Sequence, residues 1–180
     1  MTSYNRGSMT IHYESVETPV GLLLLGATSH ALCLLEFAAP KRLERQLATL
    51  RRCFGMEVVS GTSAILQQAR GQLADYFAGH RKQFDLPLDY RGTPFQMSVW
   101  QALLEIPYGA TCSYGQLAKR VGDPDASRAV GAANGMNHIA IVIPCHRVVN
   151  SNGTLGGYGG GLERKQFLLD LERGQRQLFG

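Results

Sequence analysis

The 180-residue sequence has no long apolar segment, no low-complexity tract and no internal repeat. No apolar run reaches the roughly 18 residues that a membrane-spanning helix needs. The opening stretch MTSYNRGSMT lacks the apolar centre of a signal peptide. We therefore predict a globular protein of the cytoplasm that makes no use of a membrane.

Cysteine is scarce, and its spacing excludes a disulfide scaffold. The four thiols are Cys33, Cys53, Cys112 and Cys145, and in the cytoplasm such thiols stay reduced. We expect the first three to be small buried apolar residues. His30 and Cys33 form an H-x-x-C pair, but no second pair follows at zinc-ligand spacing, so we expect no metal.

Charge is weakly unbalanced. Hydrophobic residues make up 44% of the chain and charged residues 18%, which is typical of a folded protein. The net charge of +4 permits a polyanionic partner without requiring one. Residues 1–92 carry ten basic and eight acidic side chains and the rest eight and six, so each half has an excess of two. Gross charge therefore does not locate a binding face.

The first half, residues 1–92, predicts a small α/β domain. Alternating or apolar stretches indicate strands at 11–17, 22–27 and 31–37, which we expect to form a small antiparallel sheet. Helical periodicity follows at 41–52, and Thr62 or Ser63 can cap a second helix that Gly79 ends. Residues 82–92 are typical of a linker.

The second half, residues 93–180, predicts a mostly helical domain. Thr93-Pro94-Phe95-Gln96 is a capping box with proline at the first helical position. A short helix at 113–121, a turn and a third helix capped by Asp123 outline a helix-turn-helix. The run at 139–143 indicates a buried strand, 156–161 a close-approach glycine loop, and 162–173 a last helix.

The sharpest chemical feature is Pro144-Cys145-His146-Arg147. A free thiol is mostly protonated at neutral pH, so a neighbouring histidine as proton acceptor and an arginine as counter-charge favour a nucleophile. Adjacent residues of a strand point to opposite faces, however. Cys145 and His146 can therefore cooperate only if Pro144 bends the chain or a water bridges them, and a Cys-His pair alone is weak evidence.

Four stretches together are more specific. VWQALLEIPYGATCSYGQLA, ASRAVGAANGMN, IPCHRVV and GGYGGGLERKQFLLDLE occur in this order over most of residues 94–172. In all four the chain resembles the methylated-DNA–protein-cysteine methyltransferases, also called O6-alkylguanine-DNA alkyltransferases. Residues 1–92 resemble that family only in length and strand-rich pattern.

The resemblance implies an irreversible, once-only transfer of an alkyl group from O6-alkylguanine in double-stranded DNA, with O4-alkylthymine as a minor substrate. Cys145 falls on the alkyl acceptor and His146 on the histidine that takes its proton through a water. Glu172 falls on the carboxylate that orients this histidine. Asn137 falls on the residue that ties the helix-turn-helix to the active-site turn. No cofactor is implied, and we expect a monomer.

Further positions follow from the same resemblance. Arg128 falls on the arginine that fills the base stack after the damaged nucleotide rotates out, a role that suits a flat guanidinium. Tyr114 falls on the residue that crowds the target phosphate. The remaining DNA-binding positions are Ala126, Ala129, Gly131 and Ser151, and those around the flipped base are Val148, Tyr158 and Gly159.

The sequence departs from the family at two positions and leaves three alternative functions to consider. His138 stands where the family usually has proline, and Gly159 where some members carry a hydroxyl, which leaves the preferred alkyl size open. A non-catalytic lesion sensor lacks the acceptor cysteine, so Cys145 argues against it. A turnover cysteine hydrolase is a second alternative. The third, the repair half of an adaptive-response regulator, needs segments for which this chain is too short.

Overall fold

A computed structural model describes residues 10–39 and 41–174. The predicted absence of a signal peptide concerns residues that lie mostly outside this range. Within it, no helix is long and apolar enough to cross a membrane. The same residues hold no cluster of three or more His, Cys, Asp or Glu side chains suited to a metal.

The amino-terminal part is built on a four-stranded sheet in the order β3-β2-β1-β4. The strands are β1 (Thr10–Thr18), β2 (Gly21–Ala27), β3 (Leu32–Phe37) and β4 (Glu57–Ser60). The first three pair antiparallel, as predicted. The fourth was missed, and it runs parallel to β1, so the sheet is mixed. With only four residues and one of them fully buried, β4 offers too little alternation to detect.

Two helices cover the two faces of this sheet. Helix α1 (Leu43–Phe54) packs Leu47 and Leu50 on one face. Helix α2 (Ala64–Phe77) lies in the main core on the other face. Ser63 caps α2 through its side chain, and Gly79 follows the helix with a positive φ of 78°, as the sequence predicts.

The carboxy-terminal part contains four helices among the described residues. They are α3 (Pro94–Leu104), α4 (Tyr114–Arg120), α5 (Ser127–Gly135) and α6 (Leu162–Glu172). The capping box at Thr93 is present, and α3 packs on α4 and α5. Strands β5 (Cys112–Ser113) and β6 (Val148–Val149) form a short parallel pair. The predicted arrangement of an α/β part beside a helical part is confirmed, whereas a boundary at residue 92 stays a prediction.

Three local predictions are wrong. Residues 139–143 form a tight buried turn with isolated bridges, not a strand, and Ile141 has a positive φ of 71°. Asp123 caps no helix, because a turn occupies 124–126 and α5 begins at Ser127 without a side-chain cap; the Asp123 carboxylate instead accepts from the amide of Asp125. Cys53 is exposed, although Cys33 and Cys112 are buried as expected.

The two parts are joined along the free edge of β3. Leu32 exchanges hydrogen bonds with the carbonyl of Pro87 and the amide of Asp89, so the predicted linker lies against the sheet. Further along, the amide of Leu35 donates to the carbonyl of His138 and its carbonyl accepts from Ala140, both at 2.8 Å. The segment before Cys145 therefore extends the amino-terminal sheet and covers an otherwise unpaired edge.

Candidate active site beside a helix-turn-helix

Cys145 lies at the start of a 3₁₀ turn, Cys145–Arg147. Successive side chains of such a turn point about 120° apart, unlike those of a strand. Cys145 therefore borders a cavity, whereas the neighbouring His146 points into the protein and is fully buried. The left-handed backbone of Ile141, which is costly for a β-branched residue, makes the sharp approach to this turn.

Asn137 holds the segment that leads to Cys145. Its side-chain amide donates to the carbonyl of Ile143 at 2.8 Å, and its carbonyl oxygen accepts from the amide of Ile139 at 2.9 Å. Met136 rather than Asn137 caps α5. The side chain of Asn137 thus hydrogen-bonds to both ends of the buried turn at 139–143. This turn lies between the end of α5 and Cys145.

Glu172 collects five hydrogen bonds at the end of α6. Oε1 accepts from His146 Nε2 at 2.7 Å, from the Tyr76 hydroxyl at 2.7 Å and from Arg147 Nη2 at 3.0 Å. Oε2 accepts from Arg147 Nε at 2.8 Å and from the amide of Gly109 at 3.0 Å. Burial alone raises the pKa of Glu172, but the hydrogen bonds from His146 and Arg147, together with the charge of Arg147, outweigh it and hold that pKa well below its usual range.

His146 is neutral in this setting. Burial lowers its pKa below the ordinary value, and the nearby Glu172 carboxylate, which acts in the opposite direction, does not overcome this. Because Nε2 donates to Glu172, the neutral ring carries its proton there, and Nδ1 is left as an acceptor. Nδ1 is buried and has no hydrogen-bond partner among the described residues. The imidazole is therefore oriented to receive a proton.

The thiol of Cys145 needs such an acceptor. Burial raises its pKa to about 11, although a hydrogen bond from Asn137 and the charge of Lys165 each lower it. At neutral pH the resting group is therefore the thiol and not the thiolate. Reaction at sulfur requires that the proton leave as the bond forms, which is the work of a general base.

The cation near the sulfur is Lys165, which the sequence analysis did not single out. Its side chain is fully buried, and its ammonium donates to the carbonyls of Val148 at 2.6 Å and Gly156 at 3.2 Å. Arg147, proposed from its position as the counter-charge, turns instead to Glu172 and to the carbonyl of Ile106 at 2.5 Å. The sequence does not predict this role, because a lysine within a helix that contains many polar residues is usually exposed. Only the fold shows that Lys165 is buried.

The residues predicted for the flipped base divide into two groups. Tyr158 and Gly159 line the cavity with Cys145, together with Tyr114, which the resemblance places at the target phosphate. Val148 does not line it; its side chain is fully buried, and its carbonyl accepts a hydrogen bond from Lys165. The Tyr158 hydroxyl is buried and has no partner among the described residues. The glycine loop approaches closely, since a Cβ at Gly156 would overlap the Tyr114 hydroxyl.

Helices α4 and α5 form the helix-turn-helix, with Gly122 at a positive φ of 85° between them. Val130 and Ala133 are buried against α3, whereas Arg128 and Ala129 are exposed on the outer side of α5. Ala126 and Gly131 are half-buried, and Gly131 lies against the ring of Tyr114. Ser151 is exposed in a separate turn. The small residues thus leave the backbone of α5 accessible beside the cavity.

These features define a protein in which a buried cysteine with an oriented histidine lies beside a helix-turn-helix. Two family models match the chain: "6-O-methylguanine DNA methyltransferase, ribonuclease-like domain" over residues 11–90 and "6-O-methylguanine DNA methyltransferase, DNA binding domain" over residues 94–174. The chain therefore belongs to the 6-O-methylguanine DNA methyltransferase family.

Individual relatives agree with this assignment. The methylated-DNA–protein-cysteine methyltransferase of Mycobacterium tuberculosis is 45% identical over 163 residues, which is 91% of this chain and 93% of that protein. The constitutive enzyme of Bacillus subtilis is 43% identical, covering 90% of this chain and 95% of its own. The crystal structure of M. tuberculosis OGT in complex with DNA superposes with a TM-score of 0.80 at 42% identity, over 93% of this chain and 96% of that one.

Proposed function

We propose that this protein repairs DNA by moving the alkyl group of O6-alkylguanine onto Cys145, once per molecule. The observation that carries the proposal is the position of Cys145, which borders a cavity next to the helix-turn-helix while the adjacent His146 is oriented by Glu172. The DNA-bound relative from M. tuberculosis supports DNA as the partner. We propose that the active form is a monomer in the cytoplasm.

The reaction follows from the charges around the thiol. The proton of Cys145 passes through a water to Nδ1 of His146, and the sulfur attacks the alkyl carbon in line with the O6 bond. The S–C bond forms as the C–O6 bond breaks. The electron pair of that bond stays with guanine, which recovers a proton, so that the net change is transfer of the thiol hydrogen to the base in exchange for the alkyl group. No cofactor is required.

Burial of the sulfur explains why the base must leave the helix. Cys145 is only 5% exposed, and O6 of a stacked guanine cannot reach it. We assign the accessible face of α5 to the minor groove, with Arg128 entering the stack and Ala126, Ala129 and Gly131 permitting close approach. Tyr114 crowds the target phosphate and Ser151 contacts the DNA backbone. Tyr158 and Gly159 border the extruded base.

Intact-mass spectrometry after mixing with O6-methylguanine duplex tests this directly. We expect one methyl group per chain at saturation, on the peptide that contains Cys145, because a thioether has no ready route back to thiol at neutral pH. Cys145→Ser should lose transfer and keep DNA binding. Cys53→Ser is the matched control, because Cys53 is the exposed thiol and its loss should change nothing. Repeated turnover, or methyl on Cys53, would refute the proposal.

A further inference from the structure

The cavity at Cys145 is larger than one extruded base requires. Its volume is about 1080 Å³, just above the range of roughly 300–1,000 Å³ that holds a whole drug-sized ligand. Beyond Tyr114 and Tyr158 it continues between helix α1 and the start of α3. The continuation is lined by Arg42, Arg45, Arg52 and Arg91, and is called the arginine groove below.

The charge of the arginine groove is nearly uncompensated. Glu36 is the one carboxylate among the described residues that line the cavity, and it is bound by Nδ1 of His138 and by the side-chain amide of Gln46. Arg91 pairs with Asp89, which does not line the cavity. The other three arginines pair with no carboxylate in the described part of the chain. An anionic ligand is the complement of such a surface.

Stability of helix α1 does not account for Arg42 and Arg45. Arg42 is the first flanking residue of α1, and Arg45 lies in its first turn. A cation at this end of a helix opposes the helix dipole, whereas Arg51 and Arg52 in the last turn of the same helix favour it. The basic residues at the start of α1 therefore reduce helix stability, which fits a role in binding.

We propose that the arginine groove binds a single strand of DNA, with the phosphates on Arg42, Arg45 and Arg52. A duplex is too wide to enter a cavity of this volume, so only one strand fits. Tyr90, half-buried in the same wall, offers a ring for stacking. Cationic side chains along a groove with aromatic rings are the usual way of holding single strands. The groove opens to Cys145, so the bound strand is continuous with the site of alkyl transfer.

The matched pair Arg52→Gln and Arg51→Gln tests the proposal. Both residues are exposed on α1 and both changes remove one charge, but only Arg52 lines the groove. Affinity for a fluorescent oligo-dT of about eight nucleotides, a length within the range of single-strand sites, is measured as a function of salt. We expect Arg52→Gln to weaken binding several-fold and Arg51→Gln to leave it within about twofold.

The triple variant Arg42→Gln/Arg45→Gln/Arg52→Gln sets the magnitude. Log affinity for oligo-dT falls with log salt concentration, and this dependence should become less steep by about 2 in the triple variant. Each of the three lost phosphate contacts on a single strand accounts for roughly 0.7 of that slope. Affinity for undamaged blunt duplex, and the reaction rate with free O6-benzylguanine, should stay at wild-type values. Unchanged oligo-dT binding, equal losses in Arg51→Gln and Arg52→Gln, or equal losses on single strand and duplex would each overturn the proposal. Failure of alkyl transfer in the wild type would count against the proposed function and not against the groove.

Discussion

Replacing Glu172 by glutamine should cost about 3–5 kcal/mol of unfolding free energy at pH 7, the usual cost of leaving a buried charge without its partner. Glu172 is the one carboxylate paired with Arg147 in the described chain, and both side chains are nearly fully buried, so solvent screens the pair little. Glutamine also presents an NH₂ group to at least two of the donors that now reach an oxygen. Such a loss is a large share of the 5–15 kcal/mol that stabilises a typical domain.

Tyr76→Phe serves as the graded control. It removes one hydrogen bond to the same carboxylate and leaves the ion pair intact, so we expect a loss of about 1.5–3 kcal/mol. Urea unfolding of the wild type and both variants at pH 7 measures the series. If Glu172→Gln loses less unfolding free energy than Tyr76→Phe, the carboxylate is not the group that stabilises its buried hydrogen-bond partners.

The pH dependence gives an independent check with a definite sign. The folded-state pKa of Glu172 lies well below its usual range, so its contribution is complete above the unfolded value of about 4.3 and is lost as pH falls below it. Glutamine does not titrate, so the difference between wild type and Glu172→Gln should shrink below about pH 4. His146, whose pKa is lowered by burial, adds a loss of stability below about pH 6.5 in the wild type, and a larger loss in Glu172→Gln, where no carboxylate opposes the effect of burial. A difference that stays constant in acid would refute the ionised state assigned to Glu172.

Three further predictions concern the reaction. Arg128→Ala should reduce repair of duplex DNA more than reaction with free O6-benzylguanine, because only the duplex must be unstacked; equal losses in the two rate measurements would mean that Arg128 supports the fold. Lys165→Met should move the pH–rate profile with free O6-benzylguanine to higher pH, since the charge of Lys165 lowers the pKa of Cys145; an unshifted profile would contradict this. Methylation of Cys145 should lower stability by about 1–3 kcal/mol, because a methyl group added to a side chain that is only 5% exposed displaces its neighbours; a melting temperature that is unchanged or raised would refute this.

The sequence predicted the features that depend on local chemistry. The cap at Thr93, the cap at Ser63 and the first three strands follow from short-range patterns, and the structure confirms them. The prediction of a strand at 139–143 was wrong because the apolar, β-branched character of these residues reflects their burial. A turn inside the core requires such residues as much as a strand does. The exposure of Cys53 was missed because its neighbours on α1, and not its residue type, decide where it lies.

The candidate site was predicted only in part, for a related reason. The pairing of Cys145 with His146 and Glu172 rested on the resemblance, since spacing of 26 residues between His146 and Glu172 gives no contact by itself. Tyr76 and Lys165 lie on elements whose sequence patterns are ordinary for helices. Their roles depend on long-range packing, because a tyrosine 96 positions before Glu172 meets it only after the two parts of the chain have docked.

The bond between Tyr76 and Glu172 also bears on the order of events during synthesis. Domains fold from the amino terminus as the chain emerges from the ribosome, so the sheet and α2 are in place early. Cys145 and His146 follow, but the carboxylate that orients the imidazole arrives 26 residues later, at the end of α6. A nascent chain that already displays its helix-turn-helix therefore still lacks the acid that prepares its histidine. The thiol therefore gains its oriented histidine only after α6 has formed.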